Sequence, residues 1–292
     1  MPTVLLPDRS IITVAGEDAT HLLHNVLTCN VEELGYGAAA PCALLTPQGK
    51  IMFDFLLLKA PAGGYFIDIR TDQADAFLKR MLMYKMRSTV DFAISDQHFS
   101  ATSFEPDSEG SHFDSAENWH DDRFWDGKVY RHVLPAEKAE PLNQDGITDW
   151  HLKRIEYGVA ESGTDYELGD AFPHDVSFDS NGGVDFAKGC YVGQEVVSRM
   201  YHRGTARRRV MLLAGGAPLP EAGNDVIADG KTVGKLGTVV GNTALMIGRL
   251  DRVKDALDTG LKLKAAGTPI ESVTLPANVA YDWPESTGDA NA

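Results

Sequence analysis

The sequence is poor in cysteine, in basic residues and in long apolar runs. Its 292 residues hold three cysteines, Cys29, Cys42 and Cys190. None forms a CxxC pair or stands at zinc-finger spacing from a histidine, so no zinc-ribbon pattern is present. A small, odd number of cysteines points to free thiols in a reducing compartment. Lys and Arg number 27 against 42 Asp and Glu, a formal charge of -15. Such a surface repels nucleic acid and anionic membrane in general, although a local basic patch can still bind. No apolar run approaches the length of a bilayer span, and residues 55–58 are typical of the longest. The first residues lack the basic region and apolar core of a secretory signal, so the expected location is cytoplasmic. No internal repeat recurs at a fixed period.

What is present is the composition of a folded protein, 43% apolar and 24% charged, on a chain long enough for two or three domains. Residues 10–15 read as a strand. A helix follows with Ala19, Leu22, Leu23, Val26 and Leu27 on one face. Residues 42–45 and 51–58 read as a hairpin turned by Thr46-Pro-Gln-Gly49, and residues 65–69 as a third strand. Thr71 is expected to cap a helix that buries Ala74, Phe77, Leu78, Met81 and Leu82. Residues 89–94 return as a strand. Residues 105–126 carry eight acids against one base and read as a solvated loop with aromatic anchors. Thr148 is expected to cap a helix with Leu152 and Ile155 inward and Gly158 just past its end. Residues 158–183 form a long irregular loop, a length usual for functional or disordered segments. Past residue 204, short strands alternate with Gly-rich turns, the texture of a small barrel or sandwich. The whole is α+β, built from hairpins and not from strict βαβ alternation.

The chemistry concentrates in residues 185–204. Apolar spacing predicts a helix from Val192, through Val196, Val197, Met200 and Tyr201. Gly189 is expected to take a backbone conformation closed to other residues. Cys190 then falls at the mouth of the helix, where the dipole and a neighbouring Lys188 favour thiolate over thiol. Such a sulfur can act as nucleophile, redox thiol or soft-metal ligand. Lys188 is either this activating charge or an ordinary surface charge.

The run Lys188-Gly-Cys-Tyr-Val-Gly-Gln-Glu195, with Arg199 four residues on, resembles the KGC(Y/F)xGQE motif of the YgfZ family, folate-binding proteins related to the glycine-cleavage T-protein. The mitochondrial branch of that family serves iron–sulfur cluster assembly. The likeness extends over most of the chain, through Leu44-Leu-Thr-Pro-Gln-Gly-Lys50, Arg154-Ile-Glu-Tyr-Gly158, Phe172-Pro-His-Asp175 and Val233-Gly-Lys-Leu-Gly-Thr238. It implies an α+β, T-protein-like folate-binding body of two subdomains over residues 1–204, arranged as a ring with a C-terminal β-barrel over residues 205–284. A frayed tail, 285–292, would follow. It also implies a tetrahydrofolate cofactor and partners that carry or receive iron–sulfur clusters, including tRNA-modifying radical enzymes.

On that resemblance Asp175 is the carboxylate for the pterin, where relatives carry glutamate, and Tyr191 stacks on the ring. Arg199 either holds the folate glutamate tail or braces the motif. Gln194 and Glu195 lock the loop by hydrogen bonds. Cys190 would be a ligand to a transient cluster shared with a partner, since one sulfur cannot hold a cluster alone; Cys29 and Cys42 are possible helpers. The T-protein's catalytic aspartate has no clear counterpart, Asp68 and Asp72 being the nearest acids, so the expectation leans away from an enzyme. Two other readings remain open. One is a folate-dependent one-carbon transferase or demethylase. The other is an RNA- or protein-binding module using Arg199, Arg203, Arg207, Arg208 and Arg209, which could instead pair with the acidic residues of 105–126.

Overall fold

A computed structural model describes residues 3–104 and 118–285. The chain divides into two compact units, one of residues 1–147 with 181–196, the other of residues 148–180 with 197–292. The division thus does not fall at a single cut near residue 204. Instead, the segment carrying the cysteine motif returns to the first unit.

In the first unit the order is β1 (Val4–Leu5), β2 (Arg9–Ala15), α1 (Ala19–Val26), β3 (Ala38–Leu45), β4 (Ile51–Lys59), β5 (Tyr65–Arg70), α2 (Thr71–Lys85), β6 (Asp91–Ile94), β7 (His98–Phe104), β8 (Asn118–Asp121), β9 (Val129–Pro135) and a single-turn α3 (Ala136–Ala139). The strands form one nine-stranded sheet in the order β1-β7-β9-β8-β3-β4-β5-β2-β6. The β3–β4 hairpin places Cys42 opposite Phe55 and Leu44 opposite Phe53. Phe53 and Phe55 both meet the edge of Phe77 of α2, at 5.5 and 5.0 Å between centroids, which anchors the helix to the sheet. As expected, α1 buries Ala19, Leu22, Leu23 and Val26.

Three local expectations are corrected in these elements. Arg70, not Thr71, occupies the N-cap of α2, and the Thr71 hydroxyl bonds that of Ser10. Leu82 stands at 52% exposure, because Ala74, Phe77 and Met81 alone turn to the sheet. The described part of the acidic stretch is not solvated throughout: Asp121 is fully buried and accepts from the amide and the guanidinium of Arg123 and from the guanidinium of Arg131. Residues 105–117 lie outside the described residues.

The second unit begins with α4 (Ile147–Tyr157) and includes most of α5 (Gln194–Arg203). Gly158 ends α4 at φ 69°, as expected, but Leu152 points outward at 39% exposure while Trp150, Arg154 and Ile155 are buried. Strands β10 (Arg208–Ala214), β11 (Asp225–Ala228), β12 (Lys231–Val240), β13 (Thr243–Arg249), β14 (Leu263–Ala265), β15 (Thr268–Pro269) and β16 (Ser272–Thr274) make a seven-stranded sheet, ordered β15-β14-β11-β12-β13-β10-β16. Helix α6 (Leu250–Asp258) closes its core with Leu250, Val253 and Ala256 against Met211, Val226 and Met246. The Arg154 guanidinium joins the irregular segment to β12, donating to Asp165 (2.8 Å) and to Thr238 (2.6 Å). No described helix is long and apolar enough to cross a membrane.

Candidate functional site

The motif loop is built by a clamp. Asp185 accepts the amides of Ala187 and Lys188 at 2.7 and 3.1 Å, which bends the chain toward Lys188. The Lys188 side chain then runs inward. Its ammonium donates to the carbonyls of His24 (2.6 Å), Leu27 (2.8 Å) and Cys29 (2.8 Å). The first two belong to the C-terminal end of α1, where carbonyls lack helical partners and the dipole favours a cation. Thr28 adds a second tie: its hydroxyl donates to Gly183 and accepts from the Ala43 amide, while its carbonyl accepts from Asp185. Tyr191 packs beneath the same ammonium, 5.4 Å from ring centroid to nitrogen. Burial pushes Lys188 down to about 8, against the opposing pull of Asp185 and Glu32. Burial also lowers His24, and the Lys188 charge lowers it further.

Beyond the clamp the chain emerges. Cys190 is exposed and is the free cysteine of the chain. Gln194 donates back to the Gly189 carbonyl at 3.4 Å, closing the loop as the sequence suggested. Gly193 holds φ 80°, and a side chain there would meet the Thr46 carbonyl oxygen at 2.5 Å. The loop therefore lies against the β3–β4 turn, where Gly49 has φ 77°.

Several expectations about this loop are corrected. Helix α5 starts at Gln194, four residues after Cys190, so the sulfur is not at the helix mouth. Lys188 is neither a surface charge nor a free activating one, because its ammonium is committed to three backbone carbonyls. Gly189 has open space around it and no left-handed φ; the glycine requirement sits at Gly193. Cys29 and Cys42 are bonded to each other and buried, not free thiols, so as they stand they offer no ligand beside Cys190. The expectation of free thiols at these two positions falls with them.

The remaining site residues are dispersed. Glu195 is exposed at the start of α5, and Arg199 is exposed farther along it. Asp175 lies in the second unit, buried in a 3-10 turn (Pro173–Val176), where its carboxylate accepts the Phe172 amide at 3.0 Å and pairs with Arg208 at 3.2 Å. It does not stand as a vacant acid awaiting a pterin. Asp68 is wholly buried between Arg9 and Arg131 and also accepts from Ser100. Burial alone would raise it, yet those arginines hold its carboxyl below the ordinary range. Asp72 pairs with Arg70. Neither is poised as a base. The arginine cluster is likewise divided: Arg208 pairs with Asp170 and Asp175, and Arg209 is buried on Asp179 and the His174 carbonyl, leaving Arg199, Arg203 and Arg207 exposed. Among the described residues no group of three or more potential metal ligands assembles.

Sequence reasoning missed the α1 end as the other half of the loop's architecture. The available signal was a lone lysine beside a motif cysteine, which cannot show that its partner is backbone more than 150 residues away. It also missed the Tyr191 hydroxyl, buried with no hydrogen-bond partner among the described residues. Burial pushes that phenol above its ordinary range.

Comparison with known proteins places this geometry. A solved aminomethyltransferase T of the glycine cleavage system from Bartonella henselae superposes with a TM-score of 0.70, covering 94% of this chain and 85% of that one at 14% identity. The fold is aminomethyltransferase-like. Within it, residues 207–284 match the family described as CAF17, C-terminal beta-barrel domain. The chain is also similar to proteins named iron-sulfur cluster assembly factor IBA57. The mouse protein is 27% identical over 307 residues, spanning 95% of this chain and 84% of its own. The homologue of Coccidioides immitis is 26% identical, over 88% of this chain and 73% of its own. That of Chaetomium globosum is 29% identical over 70% of this chain, which spans only 54% of that protein. The similarity is thus to proteins named IBA57, related to the family the motif suggested. All three are named as mitochondrial, which overturns the cytoplasmic location expected from the sequence.

Proposed function

We propose that this aminomethyltransferase-like chain supports iron–sulfur cluster assembly, with Cys190 as the one sulfur it offers to a cluster passing between partner proteins. The observation that carries the reading is the contrast among the cysteines. Cys29 and Cys42 are sealed and mutually bonded, whereas Cys190 is exposed on a loop held by Lys188, Tyr191 and Gly193. Thiolate is the usual protein ligand of iron–sulfur clusters. A single sulfur on a fixed loop suits a shared or transient cluster whose other ligands come from a carrier or client. The relatives named as assembly factors support this role.

Reduced folate is the proposed ligand of the body, and the support is the fold likeness and the motif. The chain's residues fit it only in part. Tyr191 has a buried hydroxyl able to meet a polar atom of a ligand, but Asp175 would have to exchange Arg208 and the Phe172 amide for the pterin. No chemical step is assigned to folate. The clients proposed are enzymes with iron–sulfur centres, tRNA-modifying radical enzymes among them. In cells lacking the native gene, Cys190→Ala should fail to restore such activities while the wild-type chain restores them. Full restoration by the alanine variant would remove the reading.

A further inference from the structure

The C-terminal half of α2 is chemically unlike the rest of the surface. Residues 79–87 read Lys-Arg-Met-Leu-Met-Tyr-Lys-Met-Arg: four bases and no acid, in a chain of formal charge -15. Leu82 and Met83 stand three and four residues after Lys79, away from the buried Ala74, Phe77 and Met81, with Met83 opposite them and Leu82 on the flank. They are 52% and 65% exposed, and Met86, where the chain leaves the helix at φ 46°, is 86% exposed. Lys85 pairs with Asp91 at 3.2 Å, whereas Lys79, Arg80 and Arg87 make no ion pair among the described residues. The helix packs on β6, the last strand of the nine-stranded sheet, whose Ile94 is also exposed. Neither the fold nor the cysteine loop uses this face. Three large exposed apolar side chains within five residues at the end of one helix mark an interaction surface more than ordinary scatter. Methionine suits such a surface, because its flexible, polarizable side chain adapts to a partner.

We infer that the Leu82–Met83–Met86 stripe, flanked by Lys79, Arg80 and Arg87, is a docking surface for an acidic protein segment that presents apolar side chains between its carboxylates. Charge complementarity decides the occupant. The flanking cations attract carboxylates, and the stripe takes the intervening apolar groups. An anionic bilayer or a nucleic acid would meet the same cations, but as an extended polyanion it would also lie along the strongly negative surface around them, whereas a short acidic segment is confined to the patch. A second copy would bring like charge against like at this stripe. The surface is independent of Cys190, so its failure would leave the cluster reading standing, and the reverse.

The test uses the full chain and a fluorescein-labelled peptide alternating glutamate with leucine, followed by anisotropy at low and physiological salt. Saturable, salt-sensitive binding is expected. Lys79→Glu with Arg80→Glu should weaken it by roughly tenfold or more, as loss of steering and pairing charges does. Met83→Ser with Met86→Ser should weaken it about tenfold through lost apolar burial. Arg252→Glu, on α6, should leave it unchanged. Every substituted side chain reaches solvent, Arg80 being half-buried and the others exposed, and thermal unfolding confirms that each variant is folded. Equal affinity in the wild type and both α2 variants would overturn the proposal. So would α2-dependent binding to phosphatidylglycerol–phosphatidylcholine vesicles without peptide binding, or self-association that the α2 variants abolish.

Discussion

A single lysine shows how the motif works at the residue scale. The family-like Lys-Gly-Cys pattern suggests a cation that tunes the neighbouring sulfur. The geometry gives Lys188 a different role. It neutralises the end of α1 and fixes the loop from which Cys190 projects. Three charge-assisted bonds into buried carbonyls are costly to lose. Lys188→Met should therefore destabilise the fold by about 2–4 kcal/mol, since it strands those carbonyls. Chemical denaturation measures this directly. The same lysine makes a pH prediction. Its folded value of about 8 lies below the ordinary 10.5, so between these limits the unfolded chain binds more protons. Its contribution to stability should accordingly rise with pH across that window. Carbon-detected NMR of the lysine side chains should show one amine titrating near 8, absent in the Met variant.

At the level of elements, legibility followed pattern. The hairpin of β3 and β4 was readable because its turn chemistry, Thr46-Pro-Gln-Gly49, is local. Helix α1 was readable because one apolar stripe accounts for its whole buried face. Helix α2 was only half readable. Periodicity places Leu82 beside Phe77 and Met81, yet the sheet is covered by a narrower stripe, and the pattern alone cannot say where cover ends. Helix α5 starts two residues past the first residue of its apolar pattern, because Val192 continues the period while Gly193 interrupts it with a left-handed turn. The glycines of this loop provide a sharp contrast. Gly193→Ala faces both the φ of 80° and the Thr46 carbonyl, and should cost about 2 kcal/mol or more. Gly189→Ala meets open space and should change stability by less than about 0.5 kcal/mol. Paired denaturation curves would distinguish them.

For the molecule as a whole, the α+β class and the strand-rich C-terminal region could be read from hairpin spacing and Gly-rich turns, and both the solved aminomethyltransferase and the barrel family agree with them. What could not be read was long-range: the return of residues 181–196 to the first unit, the bonding of Cys29 to Cys42, and the pairing of Arg208 with Asp175 and of Arg209 with Asp179. Each depends on partners that periodicity does not encode. The location expected from the first residues was corrected by the relatives. What the chain presents is one accessible sulfur on a braced loop, with its other two cysteines closed off in a disulfide. The direct measurement is anaerobic mixing of the purified chain with a cluster-loaded carrier, followed by visible absorption and Mössbauer spectra. The account predicts a spectral change on mixing that the wild type shows and Cys190→Ser does not. An identical change with the serine variant would contradict it.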